Sequence, residues 1–173
     1  MILYVLRHAE AIDGNDTLPD QWRYLTEQGR AVADKTGSRI AKSGPKPRLT
    51  ITSPLTRAVQ TAEIAARHAC RKNVIVTSEL LVPGSDPAPL ISYLQNCQNQ
   101  QRILLVGHEP QLGGVVAALL HRDTTTIPLK KGSCVALEYD PAKQGKPAVF
   151  LWYLLPGKKR VTSLKKAFPR HIV

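Results

Sequence analysis

Three short strand-forming runs stop abruptly at residues that carry charge or a nucleophilic atom. Residues 2–6 (Ile-Leu-Tyr-Val-Leu) run into Arg7-His8. Residues 48–52 (Arg-Leu-Thr-Ile-Thr) run into Ser53, with Arg57 four positions on, and residues 102–106 (Arg-Ile-Leu-Leu-Val) run into Gly107-His108. The continuous apolar run at 2–6 predicts a strand buried on both faces, 102–106 another buried strand and 48–52 a further strand, the signature of a mostly parallel sheet covered by helices. In open α/β sheets ligands bind beyond the carboxyl ends of the strands. If the three strands are parallel neighbours, two histidines and two arginines meet in one crevice. Arginines and helix N-termini are what an anionic phosphate group requires.

The segments between these runs read as helices. Thr26 predicts an N-cap, with Leu25 before it as a staple, for a helix that runs to about Ser43 and stops at Gly44-Pro45. Residues 13–25, with Gly14, Asn15 and Pro19, predict a loop. Ser53 predicts the cap of a helix starting at Pro54, with Leu55, Val59, Ala62 and Ala66 on its apolar face and Ala58 and Ala65 beside it. Residues 73–77 predict a short strand, 78–87 a loop, and 87–98 a helix. Pro110 predicts the start of another helix that buries Leu112, Val115, Val116 and Leu119. Residues 133–139 and 148–154 predict two antiparallel strands joined through Pro141 and Gly145. The expected architecture is a three-layer α/β sandwich with a mostly parallel central sheet and helices on both faces.

Composition narrows the function classes. At 173 residues the chain suits one domain, here taken as residues 1–155 followed by a basic tail over 156–173. That tail, with Lys158, Lys159, Arg160, Lys165, Lys166 and Arg170, is expected to be a solvated terminus, or less simply a dock for an acidic partner. The net charge of +11 favours anionic partners. Aromatic content of 5% and the absence of any nucleic-acid-binding signature argue against a polynucleotide. Cys70, Cys97 and Cys134 form no C-x-x-C pair and read as reduced, inert thiols. No apolar stretch approaches the ~20 residues of a membrane span, and the N-terminal run is too short for a signal peptide, so a soluble cytoplasmic protein is expected. His8 with Glu10, and His108 with Glu109, fall short of the H-E-x-x-H pattern of a zinc hydrolase, and no G-x-x-x-x-G-K-[ST] or G-x-G-x-x-G loop is present. Taken singly, His68, His121 and His171 read as surface or capping residues.

Leu6-Arg7-His8-Ala9-Glu10, Ser53-Pro54-Leu55-Thr56-Arg57-Ala58 with Gln60-Thr61-Ala62, and Val106-Gly107-His108 stand in order, each at a strand end. Together with Arg23-Tyr24-Leu25-Thr26 before the first helix, they resemble the motifs of the histidine phosphatase superfamily, and most of all its small SixA-type phosphohistidine phosphatases. The likeness spans roughly residues 1–155 and departs at Ala9, where the wider superfamily usually has Gly. It implies a phosphoglycerate mutase-like fold without a large cap domain, and a phosphatase that needs no metal or other cofactor. It implies that His8 attacks phosphorus, that Arg7 and Arg57 grip the phosphoryl oxygens, and that His108 hydrogen-bonds the same group in the transition state. Ser53 would cap its helix first and touch phosphate second. A general acid is harder to find: Glu79 ranks first, ahead of Asp86, Glu10 and Asp13. Asn15 and Thr17 are further loop candidates. An uncapped site suits a phosphohistidine-bearing protein, whose imidazole leaving group needs little acid help. Small phosphate monoesters such as sugar phosphates stay open as substrates, and so does a non-catalytic phosphoprotein- or nucleic-acid-binding module. Nothing in the sequence sets the oligomeric state.

Overall fold

The structure is a computed structural model that describes residues 1–69, 72–97, 99–122, 126–143 and 145–169. Six strands form one sheet: β1 (Ile2–Arg7), β2 (Leu49–Thr52), β3 (Val74–Thr77), β4 (Arg102–Gly107), β5 (Cys134–Glu138) and β6 (Val149–Leu154). Their spatial order is β3-β2-β4-β1-β5-β6. The pairs β1–β4, β4–β2 and β2–β3 are parallel, while β5 runs antiparallel to β1 and β6 antiparallel to β5. The helices are α1 (Glu27–Ser43), α2 (Thr56–Ala66), α3 (Pro87–Asn96), α4 (Gln111–Leu119) and a single turn, α5 (Leu164–Ala167).

Strand side chains alternate between two cores, as a period of two demands. Leu3 and Val5 of β1, with Ile103 and Leu105 of β4, bury against Leu90 and Leu94 of α3 and Leu112, Val115 and Val116 of α4. Tyr4 and Leu6, with Leu104 and Val106, bury on the opposite face against Ile40 of α1 and Ala58, Ala62 and Ala65 of α2. The result is the expected three-layer sandwich, and no large cap domain is inserted into it.

Local chemistry explains the helix ends. The Thr26 side chain accepts a hydrogen bond from the Gly29 amide and starts α1. Leu25 is buried beside Ala11, Ala33 and Ile64. The last turn of α1 is held down by Trp152, whose Nε1 donates to the Ser43 carbonyl, and by Tyr4, whose hydroxyl donates to the Pro45 carbonyl. Gly37 lets α1 cross α2 closely: a Cβ there would lie 2.7 Å from Ala65 Cα. Asp86 caps α3 by accepting from the Ala88 amide, and that helix ends at Asn96. Gln98, to which it was expected to extend, lies outside the described residues.

Three readings need correction. Ser53 does not cap α2: the helix starts three residues later, at Thr56, with Leu55 at its cap position and no side-chain cap. Pro54 and Leu55 stay non-helical, and Ser53 turns inward to a histidine instead. The buried face of α2 is accordingly rotated, to Arg57, Ala58, Thr61, Ala62, Ile64 and Ala65. The basic segment is also not a frayed end through Phe168. Val161 bridges to Tyr153, Arg39 donates to the Leu155 and Lys158 carbonyls, and Phe168 is buried with its ring against Tyr153 and Phe150. Arg170 and His171 lie outside the described residues, as does Cys70. Cys97 and Cys134 are free thiols, half-buried and buried. Among the described residues no helix is long and apolar enough to cross a membrane.

Candidate active site

The register aligns the carboxyl ends of the three central strands. Leu6 pairs with Val106, and Val106 with Thr52, so His8, His108 and Ser53 emerge along one edge of the sheet. The His8 amide donates to the Gly107 carbonyl, prolonging the β1–β4 ladder by one step. From the other side the Gly132 amide donates to both the Arg7 and His8 carbonyls. Gly132 does so with a φ of +70°, a conformation that favours glycine. Thr61 ties α2 to the same segment: its hydroxyl donates to the Arg57 carbonyl and accepts from the Ala9 amide. Ala9 itself has an ordinary negative φ, so its departure from Gly carries no strain.

The ring of His8 is oriented by its neighbour. Its Nδ1 lies 2.7 Å from the Ala9 carbonyl oxygen, which can only accept. Nδ1 therefore carries the proton and Nε2 keeps a free lone pair. Burial lowers the His8 pKa to about 4; the hydrogen bond to Ala9 opposes this, and the charges of Arg57, Arg7 and Lys131 reinforce it. The His108 ring stands 4.9 Å from that of His8, centroid to centroid. Its Nε2 is 2.9 Å from Ser53 Oγ. Burial is again the main cause of its pKa falling to about 3, followed by the charges of His8 and Arg57. Both rings are neutral near pH 7.

The two arginines are held differently. Arg7 donates from Nη1 to the Leu129 carbonyl at 2.7 Å, and its buried Nε has no partner among the described residues. Arg57, buried in the first turn of α2, donates from Nη1 to the Asp20 carbonyl at 2.7 Å and from Nη2 to the Asp20 carboxylate at 2.9 Å. Asp20 belongs to a 3₁₀ turn, Asp20–Trp22, inside the first loop. Burial pushes its carboxyl upward, but hydrogen bonds from Arg57 and Arg23 outweigh this and hold it below the ordinary carboxylate range. In this state the backbone carbonyl and the carboxylate of Asp20 together occupy the Arg57 guanidinium fork, a geometry suited to gripping anionic oxygens.

The structure thus brings His8, His108, Arg7, Arg57 and Ser53 together. It leaves the other candidates elsewhere. Glu79 is exposed in a second 3₁₀ turn, Glu79–Leu81, and its carboxylate takes no hydrogen bond or ion pair among the described residues. Asp86 caps α3, and Glu10 accepts from the Thr26 hydroxyl at 3.3 Å. Asn15 and Thr17 bond to each other in the exposed loop. His68 pairs with Asp34, and His121 lies just past the Leu120 cap of α4 with a φ of 50°.

Three participants escaped the sequence reading: Asp20, Lys131 and the role of Glu109. Half-buried Glu109 accepts from the Gly113 amide at 3.0 Å and from the Leu129 amide. The Leu129 carbonyl in turn accepts from Arg7, so one residue links the carboxylate to the guanidinium. Burial raises the Glu109 pKa, and those hydrogen bonds with the Arg7 charge moderate the rise. The chain separations involved, 37 residues for Arg57–Asp20 and 122 for Arg7–Leu129, leave no local signal to read.

Comparison with known proteins agrees with this geometry. A family model described as the histidine phosphatase superfamily (branch 1) matches residues 3–81. An uncharacterized protein of Picosynechococcus sp. is 32% identical over 146 residues, covering 83% of this chain and 88% of that protein. The mitochondrial serine/threonine-protein phosphatase PGAM5 of Rattus norvegicus is 34% identical over 97 residues, or 53% of this chain. The match spans only 31% of the rat protein. The structure of the protein histidine phosphatase SixA complexed with tungstate superposes with a TM-score of 0.80. It covers 90% of this chain and 97% of its own at 22% identity, a likeness of fold.

Proposed function

This chain belongs to the histidine phosphatase superfamily, and from that premise we propose that it hydrolyses phosphohistidine on a protein by way of a phosphohistidine intermediate of its own. The observation that carries the proposal is the protonation pattern of His8. A neutral ring with its proton fixed on Nδ1 leaves the Nε2 lone pair without a hydrogen-bond partner among the described residues and available to attack phosphorus.

In the first step Nε2 of His8 forms a bond to phosphorus while the bond from phosphorus to the leaving nitrogen breaks. The leaving imidazole already carries a proton on its other nitrogen and departs neutral. Arg7 and Arg57 balance the charge on the phosphoryl oxygens, and His108 donates a hydrogen bond to them, in a site where burial strengthens each interaction. In the second step water attacks phosphorus, the P–Nε2 bond breaks, and His8 recovers its lone pair as inorganic phosphate leaves. Ser53 fixes the His108 ring. The positive charge that the scheme needs comes from the side chains of Arg7 and Arg57.

The open site supports a protein substrate, since no inserted cap closes over it. The position of Glu79 supports the same choice. An alkyl phosphate ester needs a proton for its leaving oxygen, and Glu79, the first candidate for that acid, is exposed and makes no link to the histidines.

The test is phosphate release from a histidine-phosphorylated protein and from a panel of small phosphate esters, with His8→Ala as control. Preferred turnover of the protein, lost in His8→Ala, is expected. Fast turnover of one small ester instead would make this a metabolite phosphatase and turn the search for the acid back to Glu79.

A further inference from the structure

Trp22 and Tyr24 are the two large apolar side chains that the first loop leaves in solvent, 59% and 48% exposed. A tryptophan with more than half of its surface in water is an unusual placement, and contacts of this kind anchor protein interfaces. Their backbone is not loose. Asp20, two residues before Trp22, is clamped by Arg57. Arg23, between the two aromatics, donates to the Ile12 carbonyl and to Asp20. The Tyr24 carbonyl accepts from the Ile12 amide, and the next residue, Leu25, donates from its amide to Gln60 of α2. The two rings are therefore presented by a braced turn whose carboxylate reaches the phosphate-gripping arginine.

A second loop beside the site is cationic. Lys130 and Lys131 are exposed on the loop that fixes the Arg7 and His8 carbonyls through Gly132, and the charge of Lys131 is felt at His8. One loop with braced, exposed aromatics and another with exposed lysines, both tied to the same site in a chain of net charge +11, complement an acidic protein surface.

We infer that Trp22, Tyr24 and Lys130 form a docking surface for an acidic phosphoprotein, seated so that its phosphorylated side chain enters between Arg7 and Arg57. The inference rests on the protein-phosphatase reading above and adds which residues select the protein. The rings anchor the partner, and the lysines speed its capture.

The experiment compares kcat/KM for an acidic protein phosphorylated on histidine with kcat/KM for p-nitrophenyl phosphate, in wild type, in the double variant Trp22→Ala/Tyr24→Ala and in Lys130→Glu. Each variant is expected to lose about tenfold on the protein, the scale of a lost interface anchor, while the ester changes by less than about twofold. Retained ester turnover also shows that the site is folded. Undiminished protein turnover in both variants overturns the docking surface alone. An equal loss on both substrates also overturns it, since the residues would then serve the pocket rather than the partner. A wild-type enzyme that turns over the ester but not the phosphoprotein overturns the protein-substrate reading, and the docking surface with it.

Discussion

In the proposed mechanism His8 acts through an unprotonated Nε2, so its depressed pKa has consequences for activity as well as for stability. The acid limb of kcat/KM, which reports the free enzyme, is expected near pH 4 rather than near the ordinary histidine value of 6.5. A pH–rate profile that broke at 6.5 would show His8 to be solvated. The stability effect has a definite sign. Between about pH 6.5 and 4 the unfolded chain binds a proton that the folded state does not. The stability associated with burying a neutral His8 is therefore complete above pH 6.5 and drains away as pH falls toward 4. His108 adds to the loss over a window reaching to about 3. Thermal melts across this range should show Tm falling with acidification. Asp20 makes a separate prediction. If Arg57 grips the phosphoryl group as proposed, the Asp20 carboxylate competes with the substrate for it, and a charge-assisted hydrogen bond is worth about 1.5–3 kcal/mol. Asp20→Asn is expected to lower KM for p-nitrophenyl phosphate several-fold with little change in kcat. A raised KM would mean that Asp20 holds Arg57 in its working position. Glu109→Gln keeps an acceptor for the Leu129 and Gly113 amides, so it is expected to retain more activity than Glu109→Ala, which leaves Leu129 and hence Arg7 less fixed.

At the scale of elements, the site depends on two joints. One is the crossing of α1 and α2, which sets where Arg57 stands. Gly37→Ala would place a methyl 2.7 Å from Ala65 Cα and 2.8 Å from the Ala65 carbonyl oxygen, both backbone atoms that cannot swing aside. Intrinsic helix propensity favours the change by roughly 1 kcal/mol, but overpacking costs about 1–3 kcal/mol. Urea unfolding is expected to show net destabilisation. The other joint is the start of α1. Thr26→Ala removes the side-chain bond to Gly29 and should cost about 1 kcal/mol. Here the sequence reading and the structure agree, because a cap is a contact across three residues. At α2 they part. Ser53-Pro54 has the composition of a cap and first turn, yet Ser53 bonds His108, 55 residues away, and the helix waits until Thr56.

Across the whole molecule, the chain closes on itself at its carboxyl end. Phe168 is 3% exposed and stacks on Tyr153, whose hydroxyl donates to Ser133 in the loop that holds Arg7 and His8. Phe168→Ala should cost on the order of 3 kcal/mol, as other buried aromatic truncations do. Chemical denaturation measures this, and a loss below ~0.5 kcal/mol would mean that the segment is not docked in solution. Composition hid this packing. The lysines of 158–166 point to solvent, and a count of charge cannot tell a cationic tail from a packed turn with cationic edges.

The sequence by itself determined the layers and the chemistry of the strand ends. Apolar runs of four to six residues, helix caps and strand-end polar residues are local patterns, and local sterics and burial decide them. Arg7, His8, Arg57 and His108 were legible because each follows its strand at short range, and a parallel register then brings strand ends together. Only the tertiary structure decided what those side chains touch. The Asp20 carboxylate in the Arg57 fork, Leu129 between Glu109 and Arg7, and the Ser53 hydroxyl on His108 all join residues from 20 to 122 positions apart. Such pairs leave no periodicity and no spacing in the chain. They exist because packing of the sheet and its helices buries these groups side by side, where a polar group without a partner is costly.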